Sequence, residues 1–179
     1  MDGQILLWIQ EHLRSDMATP VMEFITHLGD TAFIWIGMAA VFFVLRKTRR
    51  TGVETATALL FSLLANNVIL KNLVARVRPY EVVAGLTLLI EKQPDWSFPS
   101  GHAASSFAAA TVIWMNHRRC GWLALVLAAL IAFSRLYVGV HYPSDVVFGA
   151  LDGILLGVAA CRCWRWIRSK RAAGDRKES

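Results

Sequence analysis

Three short stretches of this chain carry residue types able to do chemistry on an anion. The first pairs Lys71 with Arg78, followed at once by Pro79. The second is Phe98-Pro99-Ser100-Gly101-His102, which leads from a polar loop at 91–96 into an apolar run. The third is Ser134-Arg135, then His141, Pro143 and Asp145. Seven residues apart, Lys71 and Arg78 would be nearly eclipsed on a helix that stops at Pro79, with Arg76 pointing elsewhere. Pro99 suits a first helical position, where a helix start offers N–H groups to an anion and Gly101 allows close approach. The Ser100 hydroxyl adds a donor. Pro143 likewise suits a helix start and sets Asp145 in its first turn, within reach of His141. A neutral imidazole can donate one ring N–H to a carboxylate and present its other nitrogen as a nucleophile. Each stretch taken alone also has a plain structural account. The two cations could neutralise a helix end, Ser100 could cap a helix beside an interfacial His102, and Asp145 could cap the next one.

The elements that must position these groups follow from composition. The 179 residues are 55% hydrophobic and only 18% charged, with a mean hydropathy of +0.44. Soluble domains carry about 25% charged residues, so the chain is too apolar for an ordinary water-facing surface. Disorder, collagen and a small disulfide scaffold are excluded by the same figures. An integral membrane protein is expected. The formal charge of +6 and pI near 9.7 could suggest nucleic acid. Here, however, the basic residues lie in short clusters between apolar runs, which is how membrane topology is encoded, and seven Trp suit interfacial belts. No nucleic-acid partner is expected.

Five apolar stretches, at 31–45, 55–70, 98–115, 122–133 and 146–160, are mostly shorter than the roughly 20 residues that cross hydrocarbon. Snorkelling Arg and Lys stems and interfacial Trp can complete them. The expected fold is all-α, a polytopic membrane helix bundle with five to six transmembrane helices and an N-terminal amphipathic helix. In that opening segment Ile5, Leu6, Trp8, Ile9 and Leu13 form a helical stripe, and Thr19-Pro20 breaks the chain before 21–28. No removable signal peptide is expected. One domain covers 1–169, with a basic, disordered tail at 170–179 and no repeat or linker. An alternating path places thirteen of the nineteen Lys and Arg on one side, which makes that side and the C-terminus cytoplasmic. Cys120, Cys161 and Cys163 then lie near the reducing face as free thiols.

The same path brings all three stretches to the outer side. Lys71, Arg78 and Arg135 with a helix start make a cradle for a multiply charged oxyanion, and ionisable groups at membrane depth are functional candidates. Phosphoryl transfer spreads charge over equatorial oxygens that such cations can hold without a metal. His141, oriented by Asp145, is the candidate nucleophile, and His102 the general acid. Asp152, two turns further along, needs a partner that the sequence does not identify.

Lys71-x6-Arg78-Pro79, Pro99-Ser100-Gly101-His102 and Ser134-Arg135-x5-His141-x3-Asp145 together resemble the three-part signature of the type 2 phosphatidic acid phosphatases, a superfamily that includes the vanadium haloperoxidases. All three parts match in order, over 71–145. The resemblance implies a helical membrane fold and a phosphohistidine mechanism without metal or other cofactor. It also implies a lipid phosphate or diphosphate within the bilayer as substrate, such as undecaprenyl diphosphate, phosphatidylglycerol phosphate or phosphatidic acid. It assigns the site to Lys71, Arg78, Ser100, Gly101, His102, Arg135, His141 and Asp145. Gly101 stands where some undecaprenyl diphosphate phosphatases carry Asp, which leans away from that substrate. Three alternatives stay open: a metal hydrolase using His102, His141 and Asp145 as ligands, an anion transporter, and a phosphotransferase that passes the phosphate to an alcohol. If His141 must be neutral and His102 protonated, the rate should peak between two pH limbs. A flat profile from about pH 4 to about pH 9 would contradict those two roles.

Overall fold

The computed structural model describes the backbone of residues 1–178 and the side chains of residues 1–173. The described residues form no strand. In order they build α1 (Asp2–His12), α2 (Ala18–Leu28), a 3-10 turn (Asp30–Ala32), α3 (Phe33–Val44), α4 (Arg49–Ser62), a π-helical stretch (Leu63–Leu70), α5 (Lys71–Val74), α6 (Pro79–Val82), α7 (Gly101–Asn116), α8 (Arg118–Tyr137) and α9 (Pro143–Glu178). Each apolar stretch of the sequence lies largely on a helix, residues 98–100 preceding α7. By length and composition three runs can cross a bilayer: Arg49–Val82, Arg118–Tyr137 and Pro143–Ala173. The pair Ala18–Leu28 and Asp30–Val44, bent by 52°, makes a fourth if it counts as one span. Large apolar side chains such as Val41, Leu64, Val68, Leu123 and Leu155 face outward. So many exposed apolar side chains would be a liability in water and fit a hydrocarbon surround.

α7 is the most enclosed of the main helices, with α4, α8 and α9 packed around it. Its inner residues are small: Ala103, Ala104, Ser106, Ala108, Ala109 and Ala110 are all buried. α9 answers with Gly149, Gly153 and Gly157, one every turn. A Cβ on these would lie 2.6 Å from the Ser100 carbonyl oxygen, 2.3 Å from that of Ala104 and 2.7 Å from that of Ala108. Such small-on-small contact is how helices associate in lipid, where apolar surface gains little by being covered. Across the bundle, fully buried Trp35 of α3 donates its indole N–H to Ser106 of α7 at 2.9 Å.

The structure corrects the sequence expectations at the prolines. Pro20 does not break the chain; it sits in the first turn of α2, where its missing N–H costs nothing, and the break lies at 13–17. Nor does Pro79 stop the helix of Lys71. That helix ends at Val74, with Ala75 in the left-handed region at φ +47°. Arg78 is extended, as a residue before proline must be, and Pro79 opens α6. Lys71 and Arg78 therefore do not share a helix face. Pro99 precedes the cap residue Ser100, and Gly101 is the first helical residue of α7. In α1, Leu6 and Ile9 are buried, Ile9 against Tyr137, Val138 and Val140, whereas Ile5 and Trp8 are exposed. Where an irregular tail was expected from Lys170, α9 continues through Glu178, since Lys, Arg, Ala and Glu extend a helix that is already formed. Ser179 lies outside the described residues.

Gly153→Val should force α7 and α9 apart and lower stability by about 1–3 kcal/mol, read as a lower Tm in detergent. Gly37→Val, where a Cβ meets nothing within 4 Å, should leave Tm unchanged.

Candidate active site

α5 and α8 end and α6, α7 and α9 begin at one end of the bundle, and these helix ends with the turns beside them carry the expected groups. Lys71, Arg78, Gly101, His102, Arg135 and His141 line one cavity of about 440 Å³. Ser100 and Asp145 stand behind its wall. The Ser100 hydroxyl accepts from the Ala103 N–H at 3.4 Å, so it caps α7, and its own N–H donates to the Asp145 carbonyl at 3.1 Å. Gly101 is required by close approach: a Cβ there would come within 2.9 Å of Asn67 Oδ1.

His141 is buried at the centre. Arg78 Nη1 lies 3.5 Å from its Nε2, while Asp145 Oδ2 lies 3.7 Å from its Nδ1. The second separation suits an ion pair and is too long for a hydrogen bond. Nδ1 has no hydrogen-bond partner among the described residues. Asp145 is held by other residues. Its Oδ2 accepts from Ser97 at 2.5 Å and from the Tyr142 N–H at 3.0 Å, and its Oδ1 accepts from Arg76 at 2.5 Å. Arg76 also donates to Asp2 at 3.0 Å and to Ser144 at 2.7 Å, with its guanidinium 3.9 Å from the Tyr142 ring centroid. A carboxylate so fully engaged is poorly suited to serve as a metal ligand with the two histidines.

His102 and Arg135 are steadied by the N-terminal helices. His102 Nε2 is 2.9 Å from Asp30 Oδ1, at the bend between α2 and α3, and Arg135 donates to Thr26 at 2.7 Å. Gly29 permits this approach, because a Cβ there would lie 2.6 Å from the His102 ring. Arg135 Nε is buried without a partner among the described residues. Lys71 and Arg78 meet across Asp95, whose two carboxylate oxygens accept one from each. Arg78 further donates to the Val140 and Asp95 carbonyls, both at 2.8 Å. Burial alone would raise the Asp95 carboxyl, but its hydrogen bond to Lys71 and the charges of Lys71 and Arg78 outweigh it and hold the group below the usual carboxylate value. Asp152 finds the partner that the sequence did not name, accepting from Asn66 of the π-helical stretch at 2.8 Å. π-helical turns often mark functional sites.

Four supporting residues were not identified from the sequence. Arg76 was visible as a cation but set aside, because a helix running to Pro79 would turn it away. Asp30, Ser97 and Asp95 carry no spacing signal, and 72 positions separate Asp30 from His102.

A helical bundle with membrane-spanning runs and with three cations and two imidazoles gathered on one cavity at its end defines the class, a helical membrane protein with a buried polar site. Residues 51–169 match the profile of the PAP2 superfamily, and the chain belongs to that family. An undecaprenyl-diphosphatase of Sulfolobus acidocaldarius is 32% identical over 134 residues, which take in 74% of this chain and 64% of that protein. The crystal structure of LpxE from Aquifex aeolicus superposes with a TM-score of 0.77 at 26% identity, covering 89% of this chain and 93% of that one. That of a PAP2 type phosphatidylglycerolphosphate phosphatase from Bacillus subtilis gives 0.74 at 28% identity, covering 93% and 85%.

Arg76→Ala should leave the buried Asp145 short of a charged donor and cost about 1.5–3 kcal/mol, measured by thermal unfolding in detergent. Arg76→Lys should recover part of the loss.

Proposed function

We propose that this protein is an integral membrane lipid phosphatase that hydrolyses a lipid phosphate or diphosphate through a phosphohistidine, without a metal. The observation that carries this is the meeting of three cations, a glycine helix start and two imidazoles on one cavity that continues into an apolar groove. Ile36, Leu59 and Leu60 line both that cavity and a second one of about 600 Å³ between α3 and α4, walled by Ala39, Ala40, Phe43 and Ala56. A phosphate in the cradle would thus have hydrocarbon space beside it, as a lipid requires and a soluble ester does not.

His141 Nε2 attacks phosphorus, and the bond from phosphorus to the lipid oxygen breaks as His102 donates its proton to that oxygen. Lys71, Arg78 and Arg135 hold the equatorial oxygens as their charge grows, and the N–H groups at Gly101 add to the cradle. Asp145, beside Nδ1, favours the positively charged imidazole that forms. Water then attacks the phosphohistidine, His102 takes its proton, and phosphate and free His141 are restored. Asp30 orients His102 for both steps.

The names of the relatives include an undecaprenyl-diphosphatase, a decaprenylphosphoryl-5-phosphoribose phosphatase, a lipid A 4'-phosphatase and a phosphatidylglycerolphosphate phosphatase, and so single out no one lipid. The candidate substrates therefore remain undecaprenyl diphosphate, phosphatidylglycerol phosphate and phosphatidic acid. The site lies on the extracytoplasmic side and the C-terminus in the cytoplasm. This orientation is supported by Arg46, Lys47, Arg49, Arg50, Arg118 and Arg119 at the opposite end of the bundle from the cavity. The full count is five to six crossings, with α7 and the bent N-terminal pair completing the set.

Phosphate release should be assayed in detergent on all three lipids. Wild type should release phosphate from at least one and keep doing so in excess chelator. His141→Ala should abolish release, and His102→Ala should lower it by about 10²–10⁴-fold. Asp30→Asn should lower kcat more than KM. No release from any lipid would refute the proposal, and transfer of phosphate to an added alcohol in place of water would make the protein a phosphotransferase.

A further inference from the structure

The place between Lys71 and Arg78 is filled by part of the chain itself. The two Asp95 carboxylate oxygens are divided between them, one accepting from Lys71 Nζ and the other from Arg78 Nη2. The cations are fixed and their partner is not: the side chains of Lys71 and Arg78 are 7% and 5% exposed, that of Asp95 45%. Arg78 does not need this carboxylate to stay in place, because the Val140 and Asp95 carbonyls already hold it. The loop is anchored on either side of Asp95, by Gln93 N–H on the Tyr80 hydroxyl at 3.3 Å and by Ser97 on Asp145. Asp95 can thus swing while its flanks stay seated. Three buried cations facing one cavity repel one another unless an anion lies among them.

We propose that Asp95 is a resident counter-anion of the phosphate cradle: its carboxylate takes the position of a substrate phosphate oxygen between Lys71 and Arg78, and phosphate binds by displacing it. It is a positioning residue, acting through the two cations. While no phosphate is bound it keeps them charged and close, and as product leaves it returns to compete for them. A dianionic phosphate exchanges favourably for a single carboxylate, yet it is held less tightly than in a cradle without the competitor. The location of the phosphate rests on the lipid phosphatase proposal above; the competition does not depend on the reaction.

Calorimetric titration of the detergent-solubilised full chain with inorganic phosphate tests this. Asp95→Asn should bind phosphate about tenfold more tightly than wild type, the size of one charge-assisted hydrogen bond. Asp95→Glu, which keeps the charge, should return to the wild-type Kd. A merely structural salt bridge predicts the opposite, weaker binding in Asp95→Asn as the cations drift apart. Unchanged or weakened binding, or none by either protein, overturns the inference. Should Asp95→Asn fail to fold, wild type alone decides: saturating phosphate should speed amide exchange across 91–97, and unchanged exchange overturns the inference. The two proposals fail separately. A chain that hydrolyses a lipid phosphate but shows no tightening loses only this one, and a chain that shows tightening but releases nothing loses only the phosphatase.

Discussion

Like charges are gathered at one end of the helix bundle, out of water. Lys71, Arg78 and Arg135 are each about 5% exposed or less. Removing such charges from water costs several kcal/mol per ion unless opposite charges and hydrogen bonds compensate. The compensation comes from carboxylates, two of them remote in sequence from the groups they meet. Asp95 lies between Lys71 and Arg78, Asp30 reaches the site through His102, and Asp145 beside His141 is itself matched by Arg76. Each acid links a different pair of chain segments. The site is therefore a lattice of alternating charge as well as a set of reactive groups.

Such a lattice needs helix ends delivered to one level, and packing does this. Alanines and serines along α7, with the glycines of α9, let backbones approach almost to contact, so the start of α7 and the start of α9 lie side by side. Ser100 N–H on the Asp145 carbonyl joins those two starts directly. α4 and its π-helical continuation bring Asn66 onto Asp152 and Asn67 against Gly101, fixing how far α5 carries Lys71 into the cavity. The N-terminal helices close the remaining side, where Gly29, Thr26 and Asp30 meet the imidazole of α7 and the guanidinium of α8.

The other end of the bundle also pairs buried polar groups. Glu54 is fully buried there and accepts from Arg50 and from Asn116, both at 2.7 Å, while Thr51 pairs with His117 at 2.8 Å. That cluster ties α4 to the end of α7. Cys161 is buried beside Glu54 and Cys163 is exposed, so the two thiols sit in different surroundings.

Residue types and order by themselves supply the reading of the chemistry. A lysine and an arginine before a proline, a Pro-Ser-Gly-His start to an apolar run, and an arginine followed by histidine and aspartate can be read as an oxyanion site because charge, nucleophilicity and helix-start geometry belong to residues and short spacings. Apolar periodicity likewise gave the all-helical class and the positions of its main helices. Tertiary structure alone decided what each reactive group leans on. Where a helix ends is a balance of local strain against packing, so Val74 rather than Arg78 ends the helix of Lys71, and Arg76 turns inward to Asp145. Which acid meets which cation depends on how whole helices lie together, and no short-range pattern links Asp30 to His102 or Asp95 to Lys71. Nor does composition decide whether sixteen residues of α7 cross a bilayer, since an enclosed helix need satisfy only its neighbours.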